Sequence, residues 1–302
     1  MGVENGRIAA LPPPAPRSRV PPPVAPADAA TPFFADAFPA LEGPHPLAAP
    51  RPGGDQRLAT PLASGGAAAP QPPQAGRWSA LISTDTLVDE VKSQRKVLLA
   101  AVASATEFKG GRYAEASDAC SVLALMFGLI AAHDGEARWQ SQAANACGLF
   151  AGAATHCAEG TDEAFAVARA RAADLEKLVN GVDPDGQSDR VGAWLWNAVA
   201  SRAALMTRLE AAADLLATPP DAPGQREQLR HELEIVAAIG EVIQWPDFVH
   251  YDEDLYRRHA SAMRDAALRG RAELEEKTSP AGLPSAVGAL RKSCDSCHAE
   301  YR

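Results

Sequence analysis

From Trp78 to the C-terminus the chain repeats apolar residues at helical spacing and shows no stretch of strict apolar/polar alternation. The clearest run is Trp139, Ala143, Ala146, Phe150, Ala153 and Cys157, whose spacings alternate between four and three. That pattern places all six on one stripe of a helix. Seven further segments read the same way, near 84–106, 112–133, 162–180, 190–217, 225–244, 248–276 and 281–302. Turn residues separate them: KGG at 109–111, HDG at 133–135, TPPDAPG at 218–224 and SPAG at 279–282. Alanine is abundant and aromatics are only 6% of the chain, which suits closely packed helices better than sheets. The expected fold class is all-α.

Residues 1–77 follow another rule. They hold 18 of the 25 prolines and have no apolar period. Such a segment buries too little surface to offset its chain entropy, so a disordered or polyproline-like Pro/Ala-rich tail is expected. The helical part divides at GVDPDGQSD, 181–189, and carries a weak internal repeat. QRKVLLAAV at 94–102 matches SRAALMTRL at 201–209, pairing Arg95 with Arg202, Leu98 with Leu205 and Leu99 with Met206. LMFGLIA at 125–131 matches AAIGEVI at 237–243, and Trp139 and Ala143 match Tyr256 and Ala260. Short connections favour antiparallel neighbours. The expectation is two antiparallel four-helix bundles in tandem, a degenerate duplication, over 78–182 and 188–302.

The formal net charge of −9 argues against nucleic acid and against anchoring to anionic lipid. The longest apolar run, ACSVLALMFGLIAA at 119–132, is shorter than the roughly 20 residues a bilayer needs, so no membrane span is expected. The first twenty residues lack the apolar stretch of about 7–15 residues found in a secretory signal.

The chain closes on RKSCDSCHAEYR, 291–302. C-x-x-C-H is the attachment signature of c-type haem. On a helix, Cys294 and Cys297 share a face, so both thiols can add to the two vinyl groups of one porphyrin. His298 then offers its imidazole nitrogen to the iron. A zinc site needs further ligands, and the chain has no second CxxC and no HxxxH. A thioredoxin-type pair needs a βαβ context, which is missing. The motif therefore points to one covalently attached haem c.

The string CDSCHAEYR closing a four-helix bundle resembles the cytochrome c′ family. That family carries CxxCH on its last helix, followed by an aromatic and then an arginine four residues after the histidine; here these are Tyr301 and Arg302. The resemblance covers 190–302. It implies an arginine near a haem propionate, Arg202, and a residue facing the distal iron site four positions on, Met206. In much of the family an apolar residue stands there and the iron is five-coordinate; a branch with methionine is six-coordinate. The resemblance thus implies His298 and Met206 as iron ligands, and a single-haem electron carrier that is not itself an enzyme. Read from the residues alone, Met206 either ligates iron or fills space. Arg202 either meets a buried carboxylate or carries its charge to water.

Where the second half has Cys294, Cys297 and His298, the first has Leu175, Leu178 and Val179, so the 78–182 half should hold no covalent haem and serve packing or docking. Two other functions stay open: a five-coordinate protein binding nitric oxide or carbon monoxide, and a haem-bearing adaptor docking a redox partner. A homodimer also stays open. Haem is joined to CxxCH outside the bacterial cytoplasm, so a periplasmic or otherwise exported protein is expected, with a start other than Met1 or with residues ahead of it. Cys120 is expected level with Cys147, as free buried thiols or, after export, a disulfide. HYDEDLYRRH, 250–259, reads as a solvated helix start with its acids favoured by the helix dipole.

Overall fold

The computed structural model describes residues 78–188, 196–218, 224–275 and 280–301. Among these residues the structure is helical and contains no strand. The longer helices are α1 (Thr84–Ala101), α2 (Tyr113–Ala132), α3 (Gln140–His156), α4 (Asp162–Val179), α5 (Arg202–Leu216), α6 (Gln225–Val242), α7 (Asp254–Glu275) and α8 (Leu283–Glu300). The expected tail, residues 1–77, lies outside the described residues.

The helix starts follow side-chain chemistry. Ser83, Thr161 and Ser201 each accept a hydrogen bond from a first-turn backbone N–H, of Thr86, Ala164 and Ala204 respectively. Ser201 explains why the expected helix over 190–217 is interrupted. A single turn, Trp196–Val199, precedes the cap, and Asp247 holds Asn197 there. Helix α7 begins at Asp254 and not at 248, because His250 adopts φ 73° and its Nδ1 bonds Glu253 2.6 Å away. The KGG break is a kink within one helical run, with Gly111 at φ 138°.

Helix α2 is buried on nearly every side, from Ala116 through Ile130. It packs between α1 and α3 and also touches α4 and α5. With its preceding turns it forms a run, Ala105–Ala132, long and apolar enough by length and composition to cross a membrane, of which 72% of the apolar window is buried inside the protein. The run 119–132 gains that length from the helical turns ahead of it. A helix apolar all round is what the centre of a helical core requires. In the second half α6 packs on α5 and α7, and α7 packs on α8. Contacts of α2 with α5 and of α1 with α6 join the halves, and one apolar cluster runs from Trp78 to Leu290. Trp196 stands edge-on to both Trp78 and Trp245, at centroid distances of 6.0 and 6.3 Å.

The most buried charges join the halves. Arg208 of α5 donates from Nε and Nη2 to the two carboxylate oxygens of Glu90 on α1, at 2.7 and 2.9 Å, and from Nη1 to Glu232 of α6 at 2.7 Å. His231 Nε2 lies 2.8 Å from Glu90, and Gln94 donates to Glu90 at 2.8 Å. Glu90 is 1% exposed and Arg208 9%. Burial pushes the Glu90 carboxyl up, but hydrogen bonds from Arg208, His231 and Gln94 and the Arg208 charge outweigh it and hold it well below the usual carboxylate range. The other buried acids of α6 are also partnered: Glu234 accepts from the Ser83 N–H and hydroxyl, and Glu241 pairs with Arg264.

Arg208→Ala should therefore cost about 3–5 kcal/mol, because it strands two buried carboxylates. Denaturant unfolding at neutral pH checks this. The pH dependence has a fixed sign. A depressed glutamate contributes its full stability above the unfolded value of about 4.3 and loses it as pH falls toward the folded value. Acid titration of the unfolding midpoint should fall more steeply in the parent than in Glu90→Gln.

Candidate functional site: a cavity at the C-terminal helix

Helix α8 buries Leu283, Ala286, Val287, Leu290 and Ser293, chiefly against α7. The same stripe runs on through Cys294 and Cys297, both half-buried, while His298 is exposed. The thiols thus occupy the inward face by continuing the packing register, one helical turn apart. Cys294 Sγ lies 3.8 Å from Met263 Sδ of α7.

A cavity of about 430 Å³ opens between α5, α7 and α8, within the range of roughly 300–1,000 Å³ typical of cofactor sites. Met206 lines it from α5, His259 and Met263 from α7, and Cys294, Cys297 and His298 from α8. Leu209, Ile243 and Ala260 add apolar wall. Four of the residues singled out in the sequence, Met206, Cys294, Cys297 and His298, therefore meet around one space.

Arg202 stands apart from the cavity lining. Its Nη2 donates to the Val249 carbonyl, and its guanidinium lies over the Tyr256 ring at 5.5 Å. The buried arginine of α5 that meets carboxylates is Arg208. Arg302 lies outside the described residues. Tyr301 donates its hydroxyl to Glu253 at 2.9 Å and packs edge-on to Tyr256, at 5.5 Å between centroids.

Burial pushes the Cys294 thiol up, and Asp295 adds to this. Burial also pushes Cys297 up, against a smaller opposing effect of the Arg202 charge. Both are therefore thiols at neutral pH. Among the described residues no three His, Cys, Asp or Glu side chains converge as a metal cage. Two buried polar atoms of α7, Tyr256 Oη and His259 Nε2, have no hydrogen-bond partner among the described residues. Buried groups of that kind are rare without a ligand or water to satisfy them. The donor set of Cys294, Cys297, His298 and Met206, with Leu209, Ile243 and Ala260 in the wall, fits a haem.

The sequence reading passed over His259 and Met263. The signal was present: Tyr256, Ala260, Met263 and Ala267 form a helical stripe with His259 at its edge. His259 was absorbed into the solvated start of α7, whereas the first turn begins at Asp254, and His259 lies a turn further in. In the first half, Cys120, Cys147 and Cys157 are free and buried; the thiol that interacts with Cys120 is Cys157, which also donates to the Ala164 carbonyl at 3.9 Å. The loop between α2 and α3 centres the hairpin beyond Asp134, as the Ser117 hydroxyl donating to the Ala154 carbonyl also shows. The Cys120–Cys147 level is corrected accordingly.

Comparisons with family models, with curated proteins and with solved structures found no match to this chain.

In folded chain made without haem attachment, Cys294 and Cys297 should react with a thiol reagent before Cys120, Cys147 and Cys157. Unfolding should release the remainder. Peptide mapping after timed alkylation checks the order.

Proposed function

We propose that this protein is a single-haem c-type cytochrome of the cytochrome c′ kind, working in electron transfer. The observation that carries this reading is the meeting of both CxxCH thiols, His298 and the Met206 thioether around one cavity, with Leu209, Ile243 and Ala260 in its wall. When bound, haem supplies the iron redox couple. Cys294 and Cys297 would tether it by thioether bonds, and His298 and Met206 would offer an imidazole nitrogen and a thioether sulfur to the iron. Leu209, Ile243 and Ala260 keep water off, and a thioether in an apolar setting favours the ferrous state and raises the potential.

On this reading the tandem architecture is two four-helix bundles, one bearing the cofactor. Leu175 and Leu178 of α4 are buried, and Val179 packs against the core, which suits a haemless first bundle that docks or braces. The −9 charge favours a basic redox partner. Attachment of haem to CxxCH calls for an exported protein.

Optical and electron paramagnetic resonance spectra test the ligation. The parent should be low-spin. Met206→Leu should become high-spin, lower the reduction potential and let carbon monoxide bind the ferrous form. The swap nearly conserves volume, so stability should change by less than about 1.5 kcal/mol. An unchanged spectrum in the variant would assign Met206 to packing.

A further inference from the structure

Helices α2 and α3 form an antiparallel hairpin whose register is set by side chains. Phe127 stacks on Phe150 with 5.6 Å between ring centroids, and the Ser117 hydroxyl donates to the Ala154 carbonyl at 2.9 Å. Seven residues make nearly two helical turns, so a step of seven keeps the same side of a helix facing its neighbour. Seven residues back from Phe127 stands Cys120, and seven on from Phe150 stands Cys157. In an antiparallel pair these two steps run the same way along the hairpin. The two cysteines therefore meet on the seam that the stacked rings define, at the end of the hairpin away from its loop. Both are fully buried. Each also acts on the other: interaction with Cys120 holds the Cys157 thiol below its usual range, and interaction with Cys157, then burial, pushes Cys120 well above it. Cys147, the third thiol of this half, is level with Ile130 in that register, about 15 Å along α2 from Cys120.

We propose that Cys120 and Cys157 are a disulfide-forming pair that locks α2 to the end of α3 when the chain folds in the presence of a disulfide oxidant. The Cys157 thiolate attacks one sulfur of the oxidant, whose S–S bond breaks and releases one thiol. Cys120 then attacks the Cys157 sulfur of the mixed disulfide and releases the second thiol. The two protein sulfurs lose two electrons to the oxidant, and their two protons end on the released thiols. Exchange takes place while the chain folds, before packing covers the pair, and the finished bond is shielded from reductants. The α2–α3 loop joins the hairpin at one end, and this bond closes the other, so the cross-link acts chiefly on the unfolded chain. In a chain made under reducing conditions both residues stay thiols. Neither haem nor the C-terminal motif enters the proposal.

The test uses the full chain with Cys294→Ala and Cys297→Ala, so that the C-terminal thiols do not compete. The chain is reduced, unfolded and refolded in a mixture of reduced and oxidised glutathione, and circular dichroism confirms its helix. Free thiols are then alkylated in denaturant, and tryptic peptides are mapped without reductant. Peptide 113–138, which holds Cys120, should be joined to peptide 139–169, which holds Cys147 and Cys157, with the alkyl group on Cys147. Cys147→Ala should keep the link and Cys157→Ala should lose it. Reduction should lower the thermal unfolding midpoint of the parent and leave that of Cys157→Ala in place. Three alkylated cysteines in the refolded parent, or a link that survives in Cys157→Ala, would overturn the proposal. The parent map decides even where a variant does not fold. Since the experiment requires neither export nor haem, its failure would leave the cytochrome reading untouched, and a chain that attaches no haem would leave this pair untouched.

Discussion

Arg208 fixes the rotation of α5, and the cavity depends on that rotation. Its guanidinium is held from two sides, by Glu90 of α1 and Glu232 of α6. In an α-helix, residues two apart point about 200° away from one another. With Arg208 anchored inside, Met206 is turned to the opposite side of α5, where α8 presents its thiols. Leu205 and Ala212 fill the arc beside Arg208 and reinforce the same setting. A buried ion network of this kind is weak evidence for net stability. Its value here is geometric: it sets which side of α5 faces the cavity.

The same logic places the thiols. Helix α8 sinks Leu283, Val287 and Leu290 into the core, and Cys294 and Cys297 inherit that face without special packing of their own. His298, one residue on, is turned toward solvent. The result is a site with one accessible imidazole, two shielded thiols and a thioether across the gap. Its wall combines Leu209, Ile243 and Ala260 with the charged Glu210, Asp214, Arg291 and Asp295.

Most helices were legible in the sequence because burial imposes a 3.6-residue period on every one of them. The starts of α1 and α4, near 84 and 162, were legible as well. Less visible was the interruption at Ala200–Ser201, because the apolar stripe continues across it and the break depends on Asp247, fifty residues away. The sequence singled out Arg202 on α5, yet Arg208 is the buried one; its partners lie 118 and 24 residues away, and no local pattern announces them. The thiols and His298 were legible as a motif, and Met206 was singled out through the family resemblance. His259 was hidden among charged neighbours. Its significance is one unsatisfied nitrogen, which only three-dimensional packing reveals.

The most direct measurement of the central claim is the intact mass of the chain, purified from an exporting host that carries haem-attachment machinery, followed by mapping of the C-terminal peptide. Covalent attachment predicts a gain of one haem, carried on the peptide containing Cys294 and Cys297, and its loss when both cysteines are replaced by alanine. A chain exported under those conditions with both thiols free and no added mass would contradict it.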